Sequence, residues 1–419
     1  MIKILQFTDL HLRCALPGHN GHIERRSRQI PLLLERMATR IAEEAPDLVV
    51  LTGDLLDVPH ALLDGDSRFD LHAYAAAAVR DYRLLADWLG RLGRPWVALP
   101  GNHDHPASFY AVFADAPRSL RLGPLAVHAF HDWEQTGNQA RRLKDERGRF
   151  EAALATAGGA AWSVHLQHYV IWPRVDYGYP LLYGDADELA GRLAEAPGRH
   201  LVLSGHWHGG TPLAVHGGAR FAVCPAFCEP PHPYRIYTLT DDGAVNLREG
   251  RLGPLPASGR LVVLDRGGLL TRQDGTEGSL ALRPEAAAMV ARLEAQGAAV
   301  AFTSAWNDPV CRHATWRGVM NLHDALFAQP ALAATPGAAL AICLPYEQRA
   351  GRRLPAEPVA AYEDVLPRLG RLFGTRLSDM LFLSADPARR RIARAAGAAA
   401  PELEGEEPAL DRLTGLVAA

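Results

Sequence analysis

The sequence predicts an α/β protein in which buried β-strands alternate with amphipathic helices. Short apolar runs at Ile2 to Phe7 and Asp47 to Leu51 have the length and composition of buried strands. Between them, the segment His22 to Glu44 places apolar residues at helical spacing, and Pro46 ends it. The chain therefore opens with a strand, a helix and a second strand.

The same alternation continues to about residue 204 and then changes to β-like segments. It predicts helices at Leu71 to Leu92 and Ala186 to Ala196, and strands at Trp96 to Leu99, Ser163 to Leu166, His200 to Leu203, Leu213 to Val215, Arg220 to Val223 and Arg235 to Leu239. Glu249 to Ser258 is rich in Gly and Pro and predicts a linker. Since 419 residues exceed a typical single core, we expect two domains, 1–255 and 256–419.

The second domain repeats the strand and helix rhythm on a smaller scale. The pattern predicts strands at Leu261 to Leu264, Ala299 to Thr303, Ala339 to Leu344 and Met380 to Leu383, and helices at Pro284 to Gln296, Val359 to Phe373 and Pro387 to Ala396. This domain is also expected to be α/β.

Composition and charge narrow the class of protein. A hydrophobic content of 48% with 22% charged residues is typical of a globular chain, and a net charge of −3 argues against a protein that mainly grips long nucleic acid. No stretch approaches the roughly 18 apolar residues of a membrane span, and the amino terminus lacks a secretory signal. Five cysteines, an odd number, do not indicate a disulfide framework. We therefore expect a cytoplasmic protein with no membrane partner.

Five short motifs carry the chemistry, and each follows a predicted strand. They are Asp9-Leu10-His11, Gly53-Asp54 with Asp57 behind it, Gly101-Asn102-His103-Asp104, an isolated His168, and Gly205-His206-Trp207-His208. Because ligands of α/β folds bind beyond the carboxyl ends of the strands, these spacings place the motifs around one site. Mixed oxygen and nitrogen donors favour a transition metal over calcium.

In this order the motifs resemble the calcineurin-like metallophosphoesterases, whose signature runs DxH, GDxxD, GNH[DE], H and GHxH. The resemblance implies a four-layer α/β/β/α sandwich and two divalent ions, which could be Mn, Fe, Zn or Mg, with Mn favoured. It assigns Asp9, His11 and His208 to the first ion, Asn102, His168 and His206 to the second ion, and Asp54 to both ions as a bridge.

The resemblance also implies a reaction, the hydrolysis of a P–O bond through a hydroxide that bridges the two metals. His103 matches the position that approaches the leaving-group oxygen, where it would donate a proton or stabilise negative charge. Asp104 is expected to orient a nearby histidine, and Asp57 to do the same from behind the ligands. The segment Pro225 to Pro231 resembles class III cyclic nucleotide phosphodiesterases and favours a small phosphodiester of the nucleotide type.

Three alternatives stay open from the sequence. The first is a phosphomonoesterase, for which Arg13, Arg25, Arg26 or Arg174 could neutralise the additional charge of the substrate. The second is a nuclease or end-processing enzyme of nucleic-acid repair, with the carboxyl-terminal domain as an accessory module. The third is a metal-binding scaffold without turnover, which would not need His103.

The second domain is similar to haloacid dehalogenase-like (HAD-like) phosphatases, which have a smaller Rossmann-type α/β fold. Asp265 stands in the first motif of that family, Thr303 in the second and Asp386 in the last. Gly267 replaces the acid/base aspartate, Ser384 replaces one final aspartate, and only Arg352 or Arg353 could stand in for the lysine. We therefore expect a vestigial site in a domain that has lost its activity, with a weakly active phosphatase as the alternative.

Overall fold

The chain forms two compact units, each built from several segments of the sequence. A computed structural model describes residues 1–135, 137–176, 180–255, 260–272, 280–305, 315–333, 337, 339–343, 346–349, 352–355 and 358–403. The first unit comprises Met1–Ala15, Ile30–Val58 and Ala75–Gly253. The second unit comprises Leu16–Gln29, Pro59–Tyr74 and Pro254–Ala419.

Two large sheets make up most of the first unit, and β6 and β7 form a separate two-stranded sheet. Its strands are β1 (Ile2–Phe7), β2 (Leu48–Thr52), β3 (Trp96–Leu99), β4 (Ser119–Leu122), β5 (Leu125–Ala129), β6 (Glu134–Gln135), β7 (Gln139–Ala140), β8 (Trp162–Leu166), β9 (His200–Ser204), β10 (Ala214–His216), β11 (Ala219–Val223), β12 (Pro233–Leu239) and β13 (Val245–Arg251). One sheet has the order β13-β12-β1-β2-β3 and the other the order β10-β11-β9-β8-β5-β4. Within them β1, β2 and β3 are parallel, and so are β5, β8, β9 and β11.

The predicted linker is partly wrong, because its first residues belong to β13. Glu249 and Gly250 pair with Arg235 and Tyr234 of the neighbouring strand β12. A Cβ atom on Gly250 would lie 2.2 Å from the Tyr234 ring, so this glycine makes room for a packed aromatic side chain rather than a flexible joint. Residues 256–259 of that prediction lie outside the described residues.

The helices before the second unit's sheet are α1 (Ile30–Glu44), α2 (His60–Asp64), α3 (Leu71–Arg91), α4 (Pro106–Phe113), α5 (Lys144–Thr156) and α6 (Ala186–Glu195), of which α2 belongs to the second unit. The predicted start of the first helix at His22 is wrong, since α1 begins at Ile30 after a short 3-10 turn. Pro31 suits the first turn of a helix because its missing N–H has no partner there anyway. The preceding residues belong instead to the second unit.

The two sheets of the first unit pack face to face and have helices on their outer sides. Buried residues of both sheets, among them Val50 and Val164, form the core between them. On the outer side of one sheet, Trp88 of α3 packs against Phe7 at 6.0 Å and donates to the Leu34 carbonyl of α1. On the outer side of the other, residues of α5 and α6 pack with strand residues. The layers therefore run helix, sheet, sheet, helix.

The second unit is a parallel α/β sheet with helices on both faces. Its strands are β14 (Leu261–Asp265), β15 (Ala299–Ala305), β16 (Ala339–Cys343), β17 (Tyr346–Arg349), β18 (Arg352–Pro355) and β19 (Met380–Leu383), and its helices are α7 (Arg266–Leu269), α8 (Ala286–Ala295), α9 (Trp316–Ala328), α10 (Pro330–Ala333), α11 (Pro358–Phe373) and α12 (Pro387–Ala395). The sheet has the order β16-β15-β14-β19. Residues of α8 and α9 cover one face, and residues of α11 and α12 cover the other. Leu344, predicted as a strand end, lies outside the described residues.

One segment from the amino-terminal part of the chain, Leu16–Gln29, contributes to the core of this second unit. Ile23 is buried in the cluster that covers one face of the sheet. The Arg26 guanidinium lies 4.1 Å from the centre of the Phe373 ring, and His19 packs against Phe327. His19, Ile23 and Arg26 precede the predicted boundary by more than two hundred positions and yet belong to the second unit. A single boundary in the sequence therefore does not divide the chain into its two units. Among the helices described, none has the length and apolar character required to cross a bilayer.

Candidate metal centre

Five of the seven predicted ligands lie within three residues of the end of a strand. Asp9 follows β1, Asp54 follows β2, Asn102 follows β3, His168 follows β8 and His206 follows β9. The loops are tied to one another, since the Asp9 amide donates to the Gly53 carbonyl at 3.1 Å and the His11 amide to the Asp54 carbonyl at 2.9 Å. Parallel neighbouring strands thus bring all these side chains to one edge of the unit.

Four of these residues hold a backbone conformation that ordinary residues avoid. Asp9, His11, Asp54 and His206 have φ angles of 52°, 47°, 48° and 67°. Such left-handed conformations cost on the order of 1–3 kcal/mol each and concentrate at functional sites. The tight turns aim side chains into the site immediately after the strand ends.

Glycines beside the ligands provide the space for this arrangement. A Cβ atom on Gly53 would lie 2.3 Å from Nδ1 of His168, and one on Gly101 would lie 2.2 Å from Oδ1 of Asp54. No side chain fits at either position without displacing a predicted ligand. The glycines of the motifs are therefore required by close approach to the ligand side chains.

The first cluster of donor atoms comes from Asp9, His11 and His208. Nε2 of His208 lies 3.3 Å from Nε2 of His11 and 3.6 Å from Oδ1 of Asp9. Candidate donor atoms of the three residues all lie within 4.8 Å of one another. Among the described residues, none offers a hydrogen bond to Oδ1 of Asp9, although that oxygen is buried. A cation at this position would satisfy it.

The second cluster comes from Asp54, Asn102, His168 and His206. Nε2 of His168 lies 3.0 Å from Oδ1 of Asn102, 3.1 Å from Nδ1 of His206 and 3.3 Å from Oδ1 of Asp54. Nδ1 of His168 is hydrogen-bonded to the Thr52 carbonyl at 2.8 Å, so Nε2 is the nitrogen that faces the cluster.

The Asp54 carboxylate joins the two clusters. One oxygen, Oδ2, lies 3.5 Å from Nε2 of His11, and the other, Oδ1, lies 3.3 Å from Nε2 of His168. The structure thus brings all seven predicted ligands together, with Asp54 between the two sets. Carboxylate, amide and imidazole donors in this arrangement fit two divalent transition-metal ions.

Burial and neighbouring charges shift the pKa values of the predicted ligands in different directions. Burial raises the pKa of Asp9. Burial also pushes the pKa of Asp54 upward, but the charges of His168 and then His103 hold it well below its usual range. Burial opposes the charged form of His168, yet Asp54 raises its pKa to about 9.

His103 is held from behind by a buried carboxylate. Its Nδ1 lies 3.0 Å from Oδ1 of Asp57, and its backbone amide donates to Oδ1 of Asp54 at 2.9 Å. The other oxygen of Asp57 accepts a hydrogen bond from Nε of Arg13 at 2.8 Å. Asp57 is also 3.6 Å from Nδ1 of His11. One carboxylate thus supports both a predicted ligand and the predicted proton donor.

Asp104 does not have the partner that we expected from the sequence. Its carboxylate accepts hydrogen bonds from three backbone amides, those of Leu55 and Leu56 at 3.0 Å and that of Gly101 at 2.8 Å, and from the Tyr82 hydroxyl at 2.7 Å. Within the part of the chain that the structure describes, no histidine is hydrogen-bonded to it. Asp104 fastens the loop after β2 to the loop after β3, so it positions backbone rather than an imidazole. Its identity in the motif could not reveal this, because carboxylates serve both purposes.

The arginines that we considered as phosphate-binding cations have other partners. Arg13 is buried against Asp57, and Arg26 lies over Phe373 in the second unit. Arg174 forms an exposed ion pair with Asp187. Arg25 also belongs to the second unit.

One carboxylate beside the centre escaped the sequence analysis. Glu229 accepts a hydrogen bond from Nδ1 of His208 at 2.6 Å. Glu229 stands directly before Pro230 and Pro231, and nothing in this local sequence indicates the contact with His208. Only the fold brings this segment beside the first cluster.

The candidate residues of the second unit form an ion-pair network. Asp265 at the end of β14 pairs in register with Thr303 of β15. Oδ2 of Asp265 accepts hydrogen bonds from Nη1 of Arg389 and from the Ser384 hydroxyl, both at 2.6 Å. Asp386 caps α12 and lies 3.2 Å from Nε of Arg389.

This network does not fit a magnesium ion. The Arg389 guanidinium brings its own positive charge to Asp265. Within the described residues, no group of three acidic, histidine or cysteine ligands forms around that carboxylate. The side chains of Arg352 and Arg353 lie outside the described residues. The likeness to HAD-like phosphatases stays a prediction.

Comparison with known proteins identifies the class to which the first unit's site belongs. Residues 2–210 match the family of calcineurin-like phosphoesterases. The chain therefore carries a calcineurin-like phosphoesterase domain, and members of this family use a dinuclear metal centre. A probable cyclic nucleotide phosphodiesterase of Synechococcus sp. is 26% identical over 263 residues, which span 58% of this chain and 89% of that protein.

Two solved structures extend the comparison. A dimetal phosphatase from Danio rerio is 13% identical, with a TM-score of 0.43, over 60% of this chain and 99% of that one. A D,D-heptose 1,7-bisphosphate phosphatase from B. bronchiseptica, complexed with magnesium and phosphate, is 18% identical, with a TM-score of 0.28, over 38% of this chain and 99% of that one.

Proposed function

We propose that this protein is a two-metal phosphoesterase that hydrolyses a P–O bond of a small phosphodiester of the nucleotide type. The observation that carries the proposal is the position of the Asp54 carboxylate, which directs one oxygen to each cluster of ligands. Two divalent cations held there supply the charge that neutralises a phosphoryl group and acidify water near neutral pH. We propose Mn²⁺ as the native ion, because the carboxylate and amide oxygens among the donors suit it.

The residues of the chain have distinct tasks in this reaction. Asp9, His11 and His208 hold one cation, Asn102, His168 and His206 hold the other, and Asp54 spaces the two. His103 gives a proton to the oxygen of the leaving group, a task for which its 19% side-chain exposure is suited, since the groups behind it are buried. Asp57 fixes the ring through Nδ1, so Nε2 is directed to the reacting oxygen.

A diester is favoured over a monoester by two observations. A phosphomonoester carries an additional negative charge at neutral pH, and enzymes commonly neutralise such a charge with arginine or lysine. Two of the arginines considered for that task already form ion pairs, Arg13 with the buried Asp57 and Arg174 with Asp187. The similar protein from Synechococcus sp., a probable cyclic nucleotide phosphodiesterase, agrees with the same choice.

The experiment compares two chromogenic substrates on the full-length protein loaded with Mn²⁺. We expect hydrolysis of bis-p-nitrophenyl phosphate to exceed that of p-nitrophenyl phosphate, and then test cyclic nucleotides, mononucleotides and short single strands. Faster hydrolysis of the monoester would show that the protein is a phosphomonoesterase and would contradict the diester assignment. Preference for the strands would favour an end-processing enzyme, and no hydrolysis of any substrate by protein carrying two metal equivalents would refute the proposal.

A further inference from the structure

We propose that Glu229 is a positioning residue that orients His208 for the cation of the first cluster. The inference rests on the proposed function, because it concerns the metal centre of that reaction. Oε1 of Glu229 lies 2.6 Å from Nδ1 of His208, a short, charge-assisted hydrogen bond. On the other side of the same ring, Nε2 faces His11 and Asp9 at 3.3 Å and 3.6 Å. The hydrogen bond fixes the proton on Nδ1 and turns the lone pair of Nε2 toward the cation.

The backbone around Glu229 is tied to the metal motifs themselves. The Phe227 amide donates to the Thr8 carbonyl at 2.9 Å, and the Cys228 amide donates to the Asp9 carbonyl at 3.1 Å. One residue earlier, the Ala226 amide donates to the carbonyl of His208 at 3.1 Å. The segment therefore holds the Glu229 carboxylate at a fixed place relative to two predicted ligands of the same cation.

The support behind each histidine differs between the two clusters. In the first cluster Nδ1 of His11 lies 3.6 Å from Asp57, and Nδ1 of His208 is held by Glu229. In the second cluster His168 is held by a backbone carbonyl, that of Thr52. Loss of the Glu229 carboxylate should therefore loosen the first cation and leave the second as it is.

Another arrangement of the same side chains is a third metal site. Donor atoms of His208, Cys228 and Glu229 lie within 4.8 Å of one another. However, a cation there would bind the lone pair of Nδ1, whereas a hydrogen bond to Glu229 requires that Nδ1 carry a proton. The 2.6 Å separation of Nδ1 and Oε1 fits that hydrogen bond, and it favours the positioning role.

The test measures Mn²⁺ binding to the full-length protein by calorimetry, with the spin-coupled Mn²⁺ pair followed by electron paramagnetic resonance. The wild type should bind two equivalents. Glu229→Ala and the nearly isosteric Glu229→Met should each weaken one equivalent by about 10–100-fold and reduce the coupled signal. Glu229→Gln, which keeps an acceptor for Nδ1, should restore much of the affinity.

A matched control is Glu249→Ala, because Glu249 is similarly exposed and also pairs with a basic side chain, that of Arg235. It should bind both equivalents as the wild type does. Unchanged affinities in Glu229→Ala and Glu229→Met would overturn the inference, and so would a third equivalent in the wild type that both variants lose. A wild type that binds two ions but hydrolyses no phosphoester would instead refute the proposed function and leave this inference standing.

Discussion

The buried pair of Arg13 and Asp57 offers the sharpest mutational test of how the centre is supported. Both side chains are only 3% exposed, and Nε of Arg13 donates to Oδ2 of Asp57 at 2.8 Å. In Asp57→Asn one carboxylate oxygen becomes an NH₂ group, which cannot accept a hydrogen bond. This group faces either Arg13 or His103, so the hydrogen bond to one of the two is lost. Removing one partner of a buried ion pair typically costs about 3–5 kcal/mol, because the other charge stays buried without compensation.

A double-mutant cycle isolates this effect from the loss of the proton donor's support. We expect Asp57→Asn to lower the free energy of unfolding by about 3–5 kcal/mol. Arg13→Met should be costly for the same reason, and the double variant should lose clearly less than the sum of the two single variants. The measurement is chemical denaturation of the metal-free proteins, which separates folding from metal binding.

Turnover provides the second readout of the same variants. Loss of the Asp57 contact lets the His103 ring rotate, and general acid catalysis is worth about 10²–10⁴-fold in rate. Asp57→Asn should lose a part of that factor on bis-p-nitrophenyl phosphate. Additive stability changes together with wild-type turnover would refute the reasoning.

Four further predictions follow from other contacts. His103→Ala should lower turnover by about 10²–10⁴-fold at unchanged metal content; equal rates would contradict proton donation. Asp104→Ala should destabilise the metal-free protein by several kcal/mol, at about 1–3 kcal/mol for each buried amide left unpaired, and Tyr82→Phe by much less, as denaturation would measure. Burial lowers the pKa of His165, so the unfolded chain takes up protons first and stability should fall as pH drops below about 6.5; His165→Phe should flatten that dependence, and an unchanged slope would exclude this origin. Asp265→Asn should leave hydrolysis of the diester at the wild-type rate, and a large loss would show that the second unit takes part.

Much of the first unit could be predicted because its strands are short apolar runs with a polar motif at the end. Ile2–Phe7 and Trp96–Leu99 agree with the expected bounds, and most other strand ends agree within one residue. The strands Ser119–Leu122 and Leu125–Ala129 were missed, since their sequences mix arginine and histidine with the apolar residues. They lie at one end of a sheet, where alternate side chains are less buried.

The seven predicted ligands could be named because their residue types, order and strand context agree with one another. What supports them could not be read from the sequence, because it depends on contacts between distant loops. Asp104 faces backbone amides, whereas Asp57 faces His103, although both are aspartates behind the same motifs. Glu229 reaches His208 only because its segment pairs with the loop after the first strand.

The domain organisation also escaped prediction in one respect. Leu16–Gln29 and Pro59–Tyr74 follow directly on metal motifs, yet both belong to the second unit. Ile23, which reads as part of an amphipathic helix, is buried in that unit's core. A local apolar pattern specifies that a residue is buried, but not against which core it packs.

The most direct test of the central claim is anomalous diffraction from crystals of the full-length protein grown with Mn²⁺. We predict two manganese peaks about 3.5–4 Å apart. One peak should lie against Asp9, His11 and His208, the other against Asn102, His168 and His206, with the Asp54 carboxylate contacting both. A single peak, or none among these side chains at saturating Mn²⁺, would contradict the account.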